Sequence, residues 1–227
     1  MPLSLQEPRL VQSLFTAIAR RYDLANHLLS GGMDYFWRRR AARIVRAWNP
    51  ACILDLATGS GDVALTLRRY CPKARIVGAD FCVPMLREAQ RKGFTEIVAA
   101  DGLALPFADG VFDVATVAFG LRNMASYPGA LRELHRVLRC GGHGLILDFS
   151  VPPPPLRWIY RPYLHHVLPG IAGMLTGERA AYKYLGESIE KFPAGEAMCR
   201  LLESAGFSEP RAYRLTGGIV SLYTARA

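Results

Sequence analysis

The sequence lacks any apolar run of the roughly 20 residues that a membrane-spanning helix needs. Its most apolar stretches, residues 145–149 and 167–175, are too short or are broken by Gly and Pro. Residues 1–20 also lack the uninterrupted apolar segment of a secretory signal, because Glu7, Pro8 and Arg9 interrupt it. A protein that stays in the cytoplasm is the expectation. Cysteine is scarce, with five among 227 residues at positions 52, 71, 82, 140 and 199. The number is odd, no C-x-x-C pair occurs and no His lies nearby at metal-ligand spacing, so neither a disulfide framework nor a metal site is expected. Charged residues make up only 21% against 51% hydrophobic, which excludes a disordered chain and fits one large domain over residues 1–227.

Lys and Arg outnumber Asp and Glu by 28 to 19, giving a net charge of +9. The excess lies on the flanks, since residues 51–150 carry eleven bases and ten acids while residues 1–50 carry eight Arg and three acids. Such a sum suits a nucleic-acid binder, a visitor to anionic membranes or a merely soluble protein. Placement is more informative. Residues 35–48 read as a helix with Trp37, Ala41, Ile44 and Trp48 on one stripe and Arg39, Arg40, Arg43 and Arg46 largely off it. That basic face is either solvated or rests on lipid headgroups.

Pro152 to Pro155 mark a rigid change of direction. Ahead of them, residues 52–56, 76–79, 97–100, 114–119 and 145–149 read as strands, and residues 63–70, 84–92 and 128–139 as helices, the last stopped by Gly141 and Gly142. The alternation predicts a Rossmann-like α/β fold with ligands at the carboxyl ends of its strands, its five parallel strands becoming a mostly parallel seven-stranded sheet with the two strands of the C-terminal hairpin. Beyond the prolines, residues 151–194 form an aromatic-rich insertion and residues 195–205 a helix. Residues 211–215 and 219–225 then form an antiparallel hairpin. Residues 1–50 are expected to form a helical cap.

The loop after the first strand, Asp55-Leu56-Ala57-Thr58-Gly59-Ser60-Gly61-Asp62, has glycines where a ligand approaches the backbone. Gly59-x-Gly61-x-x-Ala64 fits a loose dinucleotide fingerprint, and Asp80 follows Gly61 by 19 residues, where an acid would take a ribose. Charge separates the candidate ligands. Asp55, Asp62, Asp80 and Asp101 fall at or beside strand ends, and no Lys or Arg lies between Ala51 and Leu67. An acidic rim repels a pyrophosphate and favours a ligand that carries an ammonium and a sulfonium, namely S-adenosylmethionine (SAM). Asp80 would then accept from the ribose hydroxyls, and Asp101-Gly102 would meet the adenine.

Several segments resemble the UbiE/MenG family of ubiquinone and menaquinone biosynthesis C-methyltransferases over nearly the full length. They are Tyr22-Asp23-Leu24-Ala25-Asn26 with Ser30 and Trp37, residues 54–62, Leu105-Pro106-Phe107 and Phe119-Gly120-Leu121-Arg122-Asn123. Arg136-Val137-Leu138-Arg139 with Gly141-Gly142, Tyr184-Leu185-Gly186-Glu187-Ser188-Ile189 and Thr216-Gly217-Gly218-Ile219-Val220 complete the set. The resemblance implies a SAM-dependent C-methyltransferase of the class I fold acting on a prenylated quinol, a demethylmenaquinol or a ubiquinol precursor. It implies cofactor contacts at Thr58, Gly59, Ser60, Gly61, Asp80, Phe81, Asp101, Gly102 and Ala118. It also puts Arg122 and Asn123 beside the reacting ring. Arg122, protonated at any ordinary pH, would stabilise a developing phenolate, and Asn123 would orient the same oxygen.

Asp148 ends the fifth strand and is a candidate base. Tyr22 with Asn26, and Asp23 with His27, have the i, i+4 spacing that would present polar pairs to the cleft, and Tyr22 joins the catalytic candidates. Trp158, Ile159, Tyr160, Tyr163, Leu164, Val167, Leu168, Ile171 and Leu175 are candidates for an apolar groove that receives an isoprenoid tail, or else for ordinary core. The expected partners are the prenylated quinol and a membrane surface touched reversibly. Self-association into a homo-oligomer is compatible with the sequence, and no nucleic acid is expected. A methyltransferase of a soluble phenolic keeps the same cofactor, while a nicotinamide-dependent oxidoreductase would need a phosphate partner that the loop does not offer.

Overall fold

A computed structural model describes residues 16, 27, 30–170 and 179–227. The chain alternates strand and helix from Cys52 onward, as its apolar periodicity predicts. Helix α1 (Met33–Ala47) precedes β1 (Cys52–Leu56), α2 (Asp62–Tyr70), β2 (Arg75–Asp80), α3 (Val83–Arg91), β3 (Ile97–Ala99) and β4 (Phe112–Ala118). A 3₁₀ turn (Leu121–Asn123) leads to α4 (Tyr127–Val137), β5 (Leu138–Phe149), α5 (Leu156–Pro162) and a π-helical turn (Tyr163–Val167). Helices α6 (Arg179–Lys191) and α7 (Glu196–Ser204) then precede β6 (Ser208–Leu215) and β7 (Val220–Arg226).

The seven strands form one sheet in the order β3-β2-β1-β4-β5-β7-β6. Strands β1 to β5 run parallel; β7 lies antiparallel between β5 and β6. This is the expected Rossmann-like architecture of class I methyltransferases. Period-two alternation sorts side chains between the faces. Ile53, Leu145, Leu147, Val220 and Leu222 pack with Trp37, Ala41 and Val45 of α1 and Ala64 and Leu67 of α2. Leu54, Leu56, Ile146 and Tyr223 face Leu131 and Leu134 of α4 and Met198 and Leu202 of α7. On α1, Arg39, Arg40, Arg43 and Arg46 are exposed, as the stripe pattern requires. Among the described residues, no helix is long and apolar enough to cross a membrane.

One boundary departs from the sequence reading. Helix α4 starts as expected, with the Ser126 hydroxyl accepting from the Gly129 N–H, but it ends at Val137. Gly141 and Gly142 do not stop a helix; they lie inside β5, where the register against β4 shifts between Phe112 and Val114. The reason is close packing of backbone. A Cβ on Gly142 would come within 2.9 Å of the Arg139 carbonyl and 3.0 Å of the Asp113 carbonyl, and the Gly141 N–H donates to the Ala227 carbonyl.

Candidate active site

The carboxyl ends of β1, β2 and β4 open onto two adjoining cavities. The larger, about 120 Å³, is lined by Leu56, Asp80, Phe81, Asp101, Gly102, Asn123 and Met124, among others. The smaller, about 50 Å³, is lined by Gly59, Asp80, Phe81, Cys82, Met85, Ala118, Phe119, Gly120 and Asn123 with Ala57. Gly61 caps α2 with a φ of 81° and Gly59 has a φ of 56°, so the glycine loop turns tightly under this opening. The loop after β4 presses against it, since a Cβ on Gly120 would lie 2.3 Å from the Ala57 Cβ.

Asp80 organises the opening. One carboxylate oxygen accepts the Gly59 N–H at 2.8 Å and the other the Cys82 N–H at 2.8 Å. Burial raises its proton affinity, and these amide hydrogen bonds oppose that. Asp101 is exposed and caps its own turn through the Leu103 N–H.

The acidic rim inferred from sequence is only half present. Asp55 is buried and turned inward, accepting from Thr58 at 2.7 Å and Thr116 at 2.6 Å, and burial pushes its carboxyl up to about 6. Asp62 is neutralised by Arg38 at 2.7 Å and Lys92 at 2.6 Å, two cations brought from elsewhere in the chain. Asp80 and Asp101 alone of the four line the cavities.

Of the other predicted cofactor residues, Gly59, Phe81, Gly102 and Ala118 line these cavities. Thr58, Ser60 and Gly61 shape the loop from behind, with Ser60 receiving the Lys92 ammonium at 3.1 Å. Ala57 and Gly120, quoted as parts of the loop and of the Phe119–Asn123 segment, also line the cavities, as do Met85 and Met124, which no quoted motif contains. Met124 follows directly on Asn123, and that adjacency to the quoted segment is the signal that could have found it. The residues fit an adenosyl ligand: the Asp80 and Asp101 carboxylates could accept from hydroxyl or amino groups, Leu56, Phe81 and Met124 offer apolar faces to a flat heterocycle, and a Cβ on Gly102 would come within 3.0 Å of the Met124 sulfur.

Arg122 and Asp148 meet in the interior, with the Arg122 guanidinium also donating to the Phe119 carbonyl at 2.8 Å. The Phe149 N–H donates to the same Asp148 oxygen. Burial raises the Asp148 carboxyl above the ordinary range, and Arg122 pulls against it. Asn123 donates to the Phe119 carbonyl at 3.4 Å and accepts from the Tyr184 hydroxyl at 3.3 Å, so α6 reaches a residue that lines both strand-end cavities. Burial raises the Tyr184 phenol to about 12. Tyr22, Asp23 and Asn26 lie outside the described residues; His27 contacts Asp34 at 3.0 Å.

A third cavity, about 340 Å³, is almost wholly apolar. Ile159, Tyr160, Tyr163, Leu164 and Leu168 from the predicted groove line it, joined by Met33 and Trp37 of α1, Phe149, Leu185, Ile189 and Ile219. Trp158 and Val167 are exposed, and Ile171 and Leu175 lie outside the described residues.

Comparison with known proteins agrees with this architecture. Residues 3–226 match the ubiE/COQ5 methyltransferase family. The demethylmenaquinone methyltransferase of Thermus thermophilus is 49% identical over 218 residues, covering 92% of this chain and 98% of that protein. The ubiquinone/menaquinone biosynthesis C-methyltransferase UbiE of Syntrophotalea carbinolica is 45% identical over 217 residues, covering 93% and 91%. Among solved structures, a SAM-dependent methyltransferase of Thermotoga maritima superposes with a TM-score of 0.68 at 17% identity, covering 94% of this chain and 98% of that one. Human N-acetylserotonin methyltransferase, solved with SAM, gives 0.61 at 18% identity over 94% and 58%. With its fold, its carboxylate-lined strand ends and a family match over almost every residue, the chain belongs to the ubiE/COQ5 family of SAM-dependent methyltransferases.

Proposed function

We propose that the protein methylates a ring carbon of a prenylated quinol, a demethylmenaquinol or a ubiquinol precursor, at the cytoplasmic face of a membrane. The carrying observation is the apolar cavity of about 340 Å³ beside the cofactor cavities, with Trp37 and Phe149 at its inner end. A soluble phenolic would not need such a volume of hydrocarbon wall.

Bound at Asp80, Asp101 and Gly102, SAM supplies an electrophilic methyl group. Carbon methylation also needs electron density on the acceptor, which a quinol gains as one phenol proton leaves. Arg122 supplies a fixed positive charge near the inner end of the apolar cavity, its guanidinium 5.3 Å over the Phe149 ring. That charge favours the phenolate without the Arg itself acting as a base. Asn123 orients the same oxygen through its side-chain amide. Asp148 is the candidate proton acceptor: burial raises its proton affinity, but it is paired with Arg122 and lines none of the three cavities, so a proton reaches it only by way of Arg122's surroundings or a water. Tyr22, which lies outside the described residues, is a further candidate through its i, i+4 spacing with Asn26. The apolar walls exclude water, which protects the methyl donor and strengthens these interactions.

Contact with the bilayer falls to α5. Trp158 and Ile159 are 71% and 72% exposed, and Ile159 also lines the apolar cavity, so its mouth opens beside them. Residues 149–177 contain no Asp or Glu but include Arg157 and Arg161, the composition of an interfacial segment. The test is turnover of quinols with and without an isoprenoid tail, followed by mass spectrometry of the product. Equal turnover of both would sink the lipid reading.

A further inference from the structure

Five non-glycine residues have a positive φ among the described residues, and one is aromatic: Phe119, at 58°. A bulky side chain gains nothing locally from the left-handed region, where glycine sits without strain. Neighbours hold it there. The Phe119 N–H donates to the Leu147 carbonyl at 2.7 Å, and its own carbonyl receives Arg122 Nη1 at 2.8 Å and Asn123 Nδ2 at 3.4 Å. A buried arginine, itself clamped by Asp148, thus fixes a backbone conformation that only the side chain makes worthwhile.

The ring's surroundings show what it serves. Phe119 lines the smaller cofactor cavity, while its ring centroid lies 4.9 Å from Phe149 and 6.0 Å from Trp37, both of which line the apolar cavity. The ring therefore stands in the wall between the methyl donor's chamber and the acceptor's. We propose that Phe119 is the residue against which the quinol ring lies, its flat face setting the tilt and depth at which the acceptor carbon meets the methyl group. The inference rests on the quinol reading above. Offset stacking on an aromatic face supplies orientation, and small misplacement at the reacting centre has a large cost in rate.

The test uses the full-length protein with Phe119→Gly and Phe119→Leu. The glycine variant removes the ring and relieves the backbone, with its fold checked by thermal unfolding because the ring packs on Trp37 and Phe149; the leucine variant keeps apolar bulk without a flat face and decides the matter if the glycine variant does not fold. SAM affinity is measured by calorimetry and kcat/KM with a prenylated quinol. In both variants the fall in quinol kcat/KM is expected to exceed the fall in SAM affinity by about tenfold or more. A smaller ratio in the glycine variant, including no loss at all, overturns the proposal. Wild-type protein that binds SAM but leaves the quinol unmethylated overturns the quinol reading and this inference together. Wild-type turnover that Phe119→Gly preserves overturns this inference alone.

Discussion

Arg122 Nη1 lies 2.5 Å from Asp148 Oδ1 with both side chains buried, one on the turn after β4 and the other near the end of β5. The pair ties the two neighbouring strand ends together and carries the Phe119 carbonyl with it. Removing one partner leaves a buried charge uncompensated. Arg122→Met is expected to lose about 3–5 kcal/mol of stability, and the Arg122→Met/Asp148→Leu double variant clearly less. Urea unfolding of both variants checks this, and equal losses would contradict it.

Asp80 holds the loop and lines both cavities in which SAM is proposed to bind. Asp80→Asn cannot accept at both oxygens, so the Gly59 or Cys82 amide is left unsatisfied. SAM affinity should fall by about 10- to 100-fold, measured by calorimetry, as expected when a charged acceptor is lost.

Stability should depend on pH through the buried acids. Asp55 titrates at about 6 in the folded protein because burial disfavours its charge. An unfolded Asp titrates near ~3.9. Between those values the folded protein holds a proton that the unfolded chain has lost, so stability is greater at the acid end and falls as pH rises through the window. The two-unit difference corresponds to about 3 kcal/mol. Asp80 and Asp148 are raised by burial in the same direction. Asp55→Asn should flatten part of the slope between about pH 4 and about pH 6 in urea unfolding followed across that range. An unchanged slope would show that Asp55 does not carry it.

Trp158→Ala with Ile159→Ser should leave unfolding stability within about 0.5 kcal/mol, since both side chains are exposed. Sedimentation with vesicles containing anionic phospholipid should show several-fold less bound protein. Undiminished binding would direct attention to the arginines of α1 instead.

Gly120→Ala tests the contact between the two loops. The added Cβ meets the Ala57 Cβ at 2.3 Å, both atoms belonging to tightly held turns. A loss of about 1–3 kcal/mol is expected, with weaker SAM binding, and thermal unfolding with and without SAM reads both effects.

The residues of β1, α2, β2 and β7 announce themselves locally. Apolar runs, a glycine loop and a hairpin turn are properties of neighbouring residues, and the family segments are equally linear. The end of α4 was misread because Gly141 and Gly142 answer to β4 and the chain terminus, not to the helix before them. The apolar cavity was half visible: the aromatic insertion supplied Ile159 to Leu168, but Met33, Trp37 and Ile219 arrive from both ends of the chain.

Sequence by itself determined the layered α/β order, the loop that approaches the cofactor and the position of Asp80, because each follows from short-range periodicity and turn chemistry. Only the tertiary structure decided which acids remain available. Folding turned Asp55 toward two threonines and brought Arg38 and Lys92 to Asp62. It also joined Arg122 to Asp148 and stood Phe119 between two cavities. Those outcomes depend on which distant side chains share a small volume after packing, and the Coulomb and desolvation terms that fix a charge's state act across that volume, not along the chain.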